Sequence, residues 1–273
     1  MKMFKFGALK KFLFYLLIII ILIAGGFALS LKDKYVAPIL MYHSVNPKVN
    51  PDMRALIVSP ETFAKQMNFL KMYKYNVVPL TELARMIKDK KSIPPKTLAI
   101  TFDDGFKDNY TQAYRILEKY RFPVTIFIII NEVGRQDRLS WEEIKEMQAS
   151  GLVTFGSHAL GPDPLIKIKT VEELKKQIAD SKKILEDKLG GRVEAFSYPE
   201  GMFNQDIKQL VIDSGYLCAV ATNPGSGFSS DDIFLLKRLR ISENCRNSFI
   251  FGFEISGYYT YFKENKKKGR KKR

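Results

Sequence analysis

The chain has 273 residues, 46% of them hydrophobic, and a net charge of +15. That length allows one large or two small domains, and the apolar share is enough to bury a sizeable core. Its two cysteines, Cys218 and Cys245, have no metal-motif spacing, which argues against a cysteine-held zinc module.

The N-terminal region is read apart from the fold. Lys2, Lys5, Lys10 and Lys11 precede an uncharged run from Phe12 to Leu31. About 20 apolar residues in a helix cross the ~30 Å hydrocarbon layer. Residues 1–31 are therefore expected to be a basic stub and transmembrane anchor, with the N-terminus in the cytoplasm and the rest outside. The small residues from Ala24 to Ser30 leave a cleaved signal peptide as the alternative, and a secreted domain as its result. No cysteine follows the run, so a lipoprotein is not expected.

Short apolar runs then alternate with helical patterns. Ala37 to Tyr42 reads as a strand, and Ser59-Pro60-Glu61 opens a helix with Ser as cap and Pro at its first position. Asn76 to Pro79 is a short strand, and Thr81 is expected to cap the next helix. Leu98 to Phe102 is a buried-type strand that ends in Asp103-Asp104-Gly105. A helix is expected over Tyr110–Tyr120, then a β-branched and aromatic strand over Pro123–Ile130. Further helices fall at Trp141–Gln148, Val171–Leu189 and Gln205–Asp213, with strands at Val153–Phe155, Ala195–Ser197, Leu217–Thr222 and Leu235–Ile241. Residues 263–273 form a basic tail without apolar periodicity, expected to be disordered.

This alternation predicts an α/β fold, a closed or nearly closed parallel barrel of about seven strands with helices outside. Reactive groups in such folds sit past the C-terminal ends of strands. Asp103, Asp104, His158 and Tyr198 all fall there. Two adjacent carboxylates repel when buried, and a cation relieves that. One then binds the metal and the other acts as base. The same pair also fits a solvated strand-end turn. His43 and His158, the only histidines, lie at two strand ends of the same rim. The chemistry such a set supports is metal-assisted hydrolysis, with a carboxylate base, a histidine acid and a backbone N–H at the oxyanion.

Thr101-Phe102-Asp103-Asp104-Gly105, Gly156-Ser157-His158 and Phe196-Ser197-Tyr198-Pro199-Glu200-Gly201 resemble the polysaccharide deacetylases, the family 4 carbohydrate esterases. The resemblance runs from about Pro38 to Ile241, so residues 32–262 are expected to be the deacetylase domain. The opening Met41-Tyr42-His43 is similar to the subgroup acting on poly-N-acetylglucosamine, whose motif order is circularly permuted. The resemblance implies a distorted (β/α) barrel of about seven strands. It implies Asp103 as base, His43 as general acid, the Glu200 backbone N–H as oxyanion donor and Arg238 as orienter of the base. Asp104 and His158 would hold a divalent metal, zinc first, with cobalt or nickel as alternatives. The family's second histidine is replaced by Pro162, and Asp163 is the candidate substitute ligand.

Two functions follow. One is an N-deacetylase on an extracytoplasmic amino-sugar polymer, an exopolysaccharide or a wall glycan. The other is a weak or inactive deacetylase-fold module that binds glycan at the membrane, suggested by the missing histidine. The basic tail is expected to meet anionic lipid or wall polymer. Nucleic acid is not expected as a partner of an exported chain. A disulfide between Cys218 and Cys245 is permitted outside the cytoplasm, but two cysteines do not establish one.

Overall fold

The computed structural model describes residues 3–31, 35–49, 53–222 and 231–259. The basic tail at 263–273 lies outside them. The chain divides into two compact units, one of residues Met1–Val36 with Thr260–Arg273, the other Ala37–Tyr259.

In the first unit, helix α1 spans Met3–Leu31. Its described side chains from Phe12 to Ile23 are all exposed apolar groups. That described stretch is shorter than the about 20 residues a crossing takes. Among the described residues, no helix is long and apolar enough to cross a membrane. The expected anchor therefore rests on the sequence of the run.

The second unit is the α/β domain. Its strands are β1 Ile39–Tyr42, β2 Ser44–Val45, β3 Ile57–Val58, β4 Asn76–Val77, β5 Thr97–Phe102, β6 Val124–Ile128, β7 Val153–Ser157, β8 Ala195–Ser197, β9 Cys218–Ala221, β10 Leu236–Lys237 and β11 Leu239–Arg240. Its helices are α2 Pro60–Met72, α3 Leu80–Lys88, α4 Arg115–Tyr120, α5 Trp141–Ala149, α6 Val171–Lys175, α7 Ser181–Leu189, α8 Gln205–Asp213 and α9 Ser248–Glu254. The main sheet runs β10-β9-β8-β7-β6-β5-β1-β11, with β4 beside β5 and every pairing parallel.

The expected strand at Leu235–Ile241 is broken at Arg238. Leu236 and Lys237 pair with β9, while Leu239 and Arg240 pair with β1. One short segment thus lies at both edges of the sheet and nearly closes it into a barrel. Counting that segment once reconciles the sheet with the roughly seven staves expected.

The core is apolar on both sides of the sheet, as parallel strands require. β5 is buried along its whole length. Tyr42, Phe63 and Phe102 meet at ring-centroid distances of 5.2–5.8 Å and tie β1 and β5 to α2. Ser59 does cap α2, accepting from Thr62 N at 3.2 Å, with Pro60 at the first position. Thr81 does not cap α3. That helix starts at Leu80 behind Pro79, whose side chain has no acceptor to offer. The helices expected at Tyr110–Tyr120 and Val171–Leu189 each contain a wide π-type turn, at Asn109–Tyr114 and Lys176–Asp180. The two cysteines are free and buried.

Candidate functional site

β5 delivers Asp103 and Asp104 to the C-terminal rim of the barrel. Asp103 N donates to Tyr42 O at 3.0 Å, so the strand's pairing with β1 continues to the acidic pair. The chain then turns through two left-handed residues, Asp104 at φ 70° and Gly105 at φ 61°. Asp tolerates that region better than most side chains. Gly105 takes its left-handed φ without the strain a side chain would bring there.

The turn separates two environments. Asp103 is buried and accepts a bidentate pair from Arg238, Nη1 to Oδ1 and Nη2 to Oδ2, both at 2.6 Å. Arg238 also donates to Thr101 Oγ1 at 3.3 Å and to Ser197 Oγ at 3.0 Å. The break between β10 and β11 places Arg238 where its side chain can enter the barrel. Burial alone would raise the Asp103 pKa. The charges of Arg238, His158 and His43 and the Arg238 hydrogen bonds outweigh it and hold the carboxyl well below the usual range.

Asp104 points to His158 instead. His158 Nδ1 lies 2.8 Å from Ser197 O, so this nitrogen carries the proton. That leaves the Nε2 lone pair facing Asp104 Oδ1 at 3.5 Å. The distance is long for a hydrogen bond. It suits two donors sharing a cation, because ligands about 2.0–2.1 Å from a tetrahedral zinc stand roughly 3.3 Å apart. A metal-binding histidine that donates its other N–H to a carbonyl is the usual second-layer arrangement.

His43 closes the group from the end of β1. Its carbonyl accepts from Asn109 Nδ2 at 2.7 Å, and Asp108 ties the following strand through Ser44 Oγ at 2.5 Å and Val45 N at 3.0 Å. Its buried Nδ1 has no hydrogen-bond partner among the described residues. Burial lowers its pKa, and Asp103 and Asp104 act against that.

Glu200 lies past β8 in a left-handed conformation, φ 55° and ψ 7°, with its side chain exposed. The turn's hydrogen bonds run from Gly201 N to Tyr198 O and from Met202 N to Pro199 O, and neither uses the Glu200 N–H.

Asp163 is not brought to the pair. It is exposed, on a loop tied back by Asn131 N to Leu160 O at 2.9 Å and Gly161 N to Gln177 Oε1 at 3.1 Å. Among the described residues, no three of His, Cys, Asp and Glu converge as a metal-holding group. The described residues therefore offer a cation two side-chain donors, Asp104 and His158.

Sequence reasoning did not single out Thr101, Ser197 or Asn109. Thr101 and Ser197 are hydroxyl residues inside otherwise apolar strands, which was the available signal. Ser197 matters most, because its carbonyl serves His158 and its hydroxyl serves Arg238.

The polysaccharide deacetylase family model matches residues 90–219, a range that holds Asp103, Asp104, His158 and Glu200. YxkH of Bacillus subtilis (strain 168), which carries the same family assignment, is 32% identical over 211 residues, covering 77% of this chain and 73% of its own length. A poly-beta-1,6-N-acetyl-D-glucosamine N-deacetylase of Staphylococcus aureus (strain MRSA252) is 28% identical over 199 residues, 68% of each chain. The solved structure of the Streptococcus pyogenes deacetylase PplD in complex with acetate superposes with a TM-score of 0.70 at 29% identity, covering 77% of this chain and 93% of that one.

Proposed function

This chain belongs to the polysaccharide deacetylase family, and we propose that it removes N-acetyl groups from an extracytoplasmic amino-sugar polysaccharide by metal-assisted hydrolysis. The observation that carries the reading is the division of labour between adjacent carboxylates. Asp103 is held ionised by Arg238, and Asp104 is paired in position with His158.

In this reading Asp104 and His158 hold a divalent cation, zinc first and cobalt or nickel as substitutes. When bound, such a cation would polarise the acetyl carbonyl and acidify a water. Asp103 is the acceptor for the attacking water's proton. A carboxylate held so far below its usual range is a poor base toward ordinary water, so its use demands an acidified one. Arg238 fixes the direction of the base. The Glu200 N–H, outside its own turn's bonds, donates to the oxyanion. His43 protonates the leaving amine. Its lowered pKa makes it a ready donor once it has gained a proton beside Asp103 and Asp104. Asp163 joins as a third donor only if its loop turns inward.

The basic stub and the uncharged run from Phe12 to Leu31 support a single-pass anchor at the cell membrane with the domain outside. A helix that is apolar all round needs an apolar surround.

Acetate release from an N-acetylglucosamine oligomer, measured with Zn²⁺, Co²⁺ or Ni²⁺, tests the reading. Turnover that disappears in Asp103→Asn supports it, and folded protein that releases no acetate with any metal overturns it. The exposed position of Asp163 favours a second reading, a glycan-binding module without turnover. That reading gains if the oligomer binds equally well to wild type and Asp103→Asn while neither releases acetate.

A further inference from the structure

All strands of the barrel are parallel, so the loops that enter them gather at one end, opposite the rim that carries Asp103 and His158. Those entering loops are basic. Lys74 precedes β4, Lys90 and Lys96 precede β5, and Arg121 precedes β6, all exposed. Of the carboxylates on the same end, Asp89 is met by Lys91 at 3.1 Å and Glu194 by Arg85 at 2.7 Å, while Asp213 at the end of α8 accepts from Gln209. Among the described residues, no ion pair reaches Lys74, Lys90, Lys96 or Arg121. The opposite rim carries Asp103, Asp104, Asp108 and Asp137 past its strand ends, and Lys107, Arg135, Arg138 and Arg238 there are each paired with a carboxylate.

Apolar groups stand among the cations. Helix α2 ends at this face with Met72 67% and Tyr73 51% exposed. Lys96 Nζ donates to the Tyr73 carbonyl at 3.0 Å, so the apolar and basic loops are one surface. Phe69, one turn earlier, packs on Tyr73 and on Phe251 of α9, whose neighbour Phe253 is 51% exposed. Ala37, where the chain enters β1, is at the same end.

We propose that this strand-entry face docks on an anionic lipid surface and turns the rim bearing Asp103 and His158 away from the membrane. Cations interleaved with exposed Met, Tyr and Phe fit headgroups above an acyl boundary. A soluble polyanion such as a wall polymer would use the charges and leave the apolar groups without a role. The inference rests on the reading of the chain as membrane-held, and the two are separable by experiment.

The test uses the full chain with vesicles of phosphatidylglycerol or phosphatidylcholine carrying an acceptor dye at the headgroups. A donor dye is placed by Lys90→Cys on the proposed face or by Arg135→Cys on the opposite rim. Cys218 and Cys245 are buried and do not compete for label. Transfer from position 90 on phosphatidylglycerol should exceed transfer from position 135 at least about two-fold. It should fall on phosphatidylcholine and in 1 M salt, where screening shrinks to about 3 Å. Lys74→Glu with Arg121→Glu should mimic the salt effect without it.

Equal transfer from both positions, or transfer blind to lipid charge and salt, overturns the docking face and leaves the anchor standing. A chain recovered free of both membranes overturns the two together. Capture by soluble polyphosphate with no approach to either bilayer assigns the basic face to a polymer and overturns the lipid assignment.

Discussion

Asp103 is buried with both oxygens gripped by Arg238 at 2.6 Å, whereas its neighbour Asp104 stands 3.5 Å from His158 on a partly open edge. The first carboxylate is fully paired before any substrate arrives. The second has one histidine beside it and a loop with Pro162 where another would stand. One half of the site is therefore built into the fold, and the other depends on what binds there. Mutations on the two halves should divide between stability and activity.

The sharpest break would come at Arg238. Arg238→Met leaves a buried carboxylate without its cation and should cost about 3–5 kcal/mol in urea unfolding. Replacing Asp103 and Arg238 together by apolar residues should cost less than the two single changes added. Asp104→Asn should do the reverse. Its effect on unfolding should stay under about 1 kcal/mol, while acetate release falls at least about 1,000-fold. A large stability loss in Asp104→Asn would show that the two halves are not separable.

Pro162→His sharpens the incomplete half. A third neutral donor should tighten zinc binding at least about ten-fold, read by competition with a chromophoric chelator. Unchanged affinity would mean that position 162 does not reach the pair.

Acidification tests His43. Its folded pKa lies below the ordinary value of 6.5, so the unfolded chain binds the proton more readily. Stability from this group is full above pH 6.5 and is lost as pH falls from there toward the lowered folded value. His43→Gln should flatten that part of the urea-midpoint profile. Asp103 has the opposite protonation role but the same sign of slope. Its stabilisation is present above its unfolded value of 3.8 and fades only below it. The two losses should therefore appear as separate steps.

The smallest effect concerns the thiols. Burial first, then Glu194 for Cys218 and Glu254 for Cys245, push both up to about 12. Only about 10⁻⁴ of each is thiolate at pH 8, so a thiol reagent should react at least about 100-fold faster after denaturation.

Much of the site was legible because its residues sit at strand ends. An apolar run that stops at Asp103-Asp104-Gly105 announces both a buried strand and a turn. His43 and His158 follow equally plain runs. The break at Arg238 was not legible, because Leu235–Ile241 has the apolar pattern of one strand. Its change of partner is decided by the separation of β9 from β1, which no local pattern records. The wide turns at Asn109–Tyr114 and Lys176–Asp180 were hidden for a similar reason, since one extra residue in a helix barely disturbs the apolar period. Ser197 was overlooked because half of its role is played by its carbonyl, which every residue has.

The segment around Arg238 also sets an order of assembly. It joins strands at both edges of the sheet, and its salt bridge spans 135 residues of sequence back to Asp103. Contacts of such separation form late, after the loop between them has been drawn in. A nascent chain that has not yet supplied residues 236–240 holds the acidic pair and both histidines but lacks the guanidinium that grips Asp103. The candidate site is therefore completed by closure of the barrel itself, and a chain truncated before that segment carries the family's motifs without its Arg238-held carboxylate.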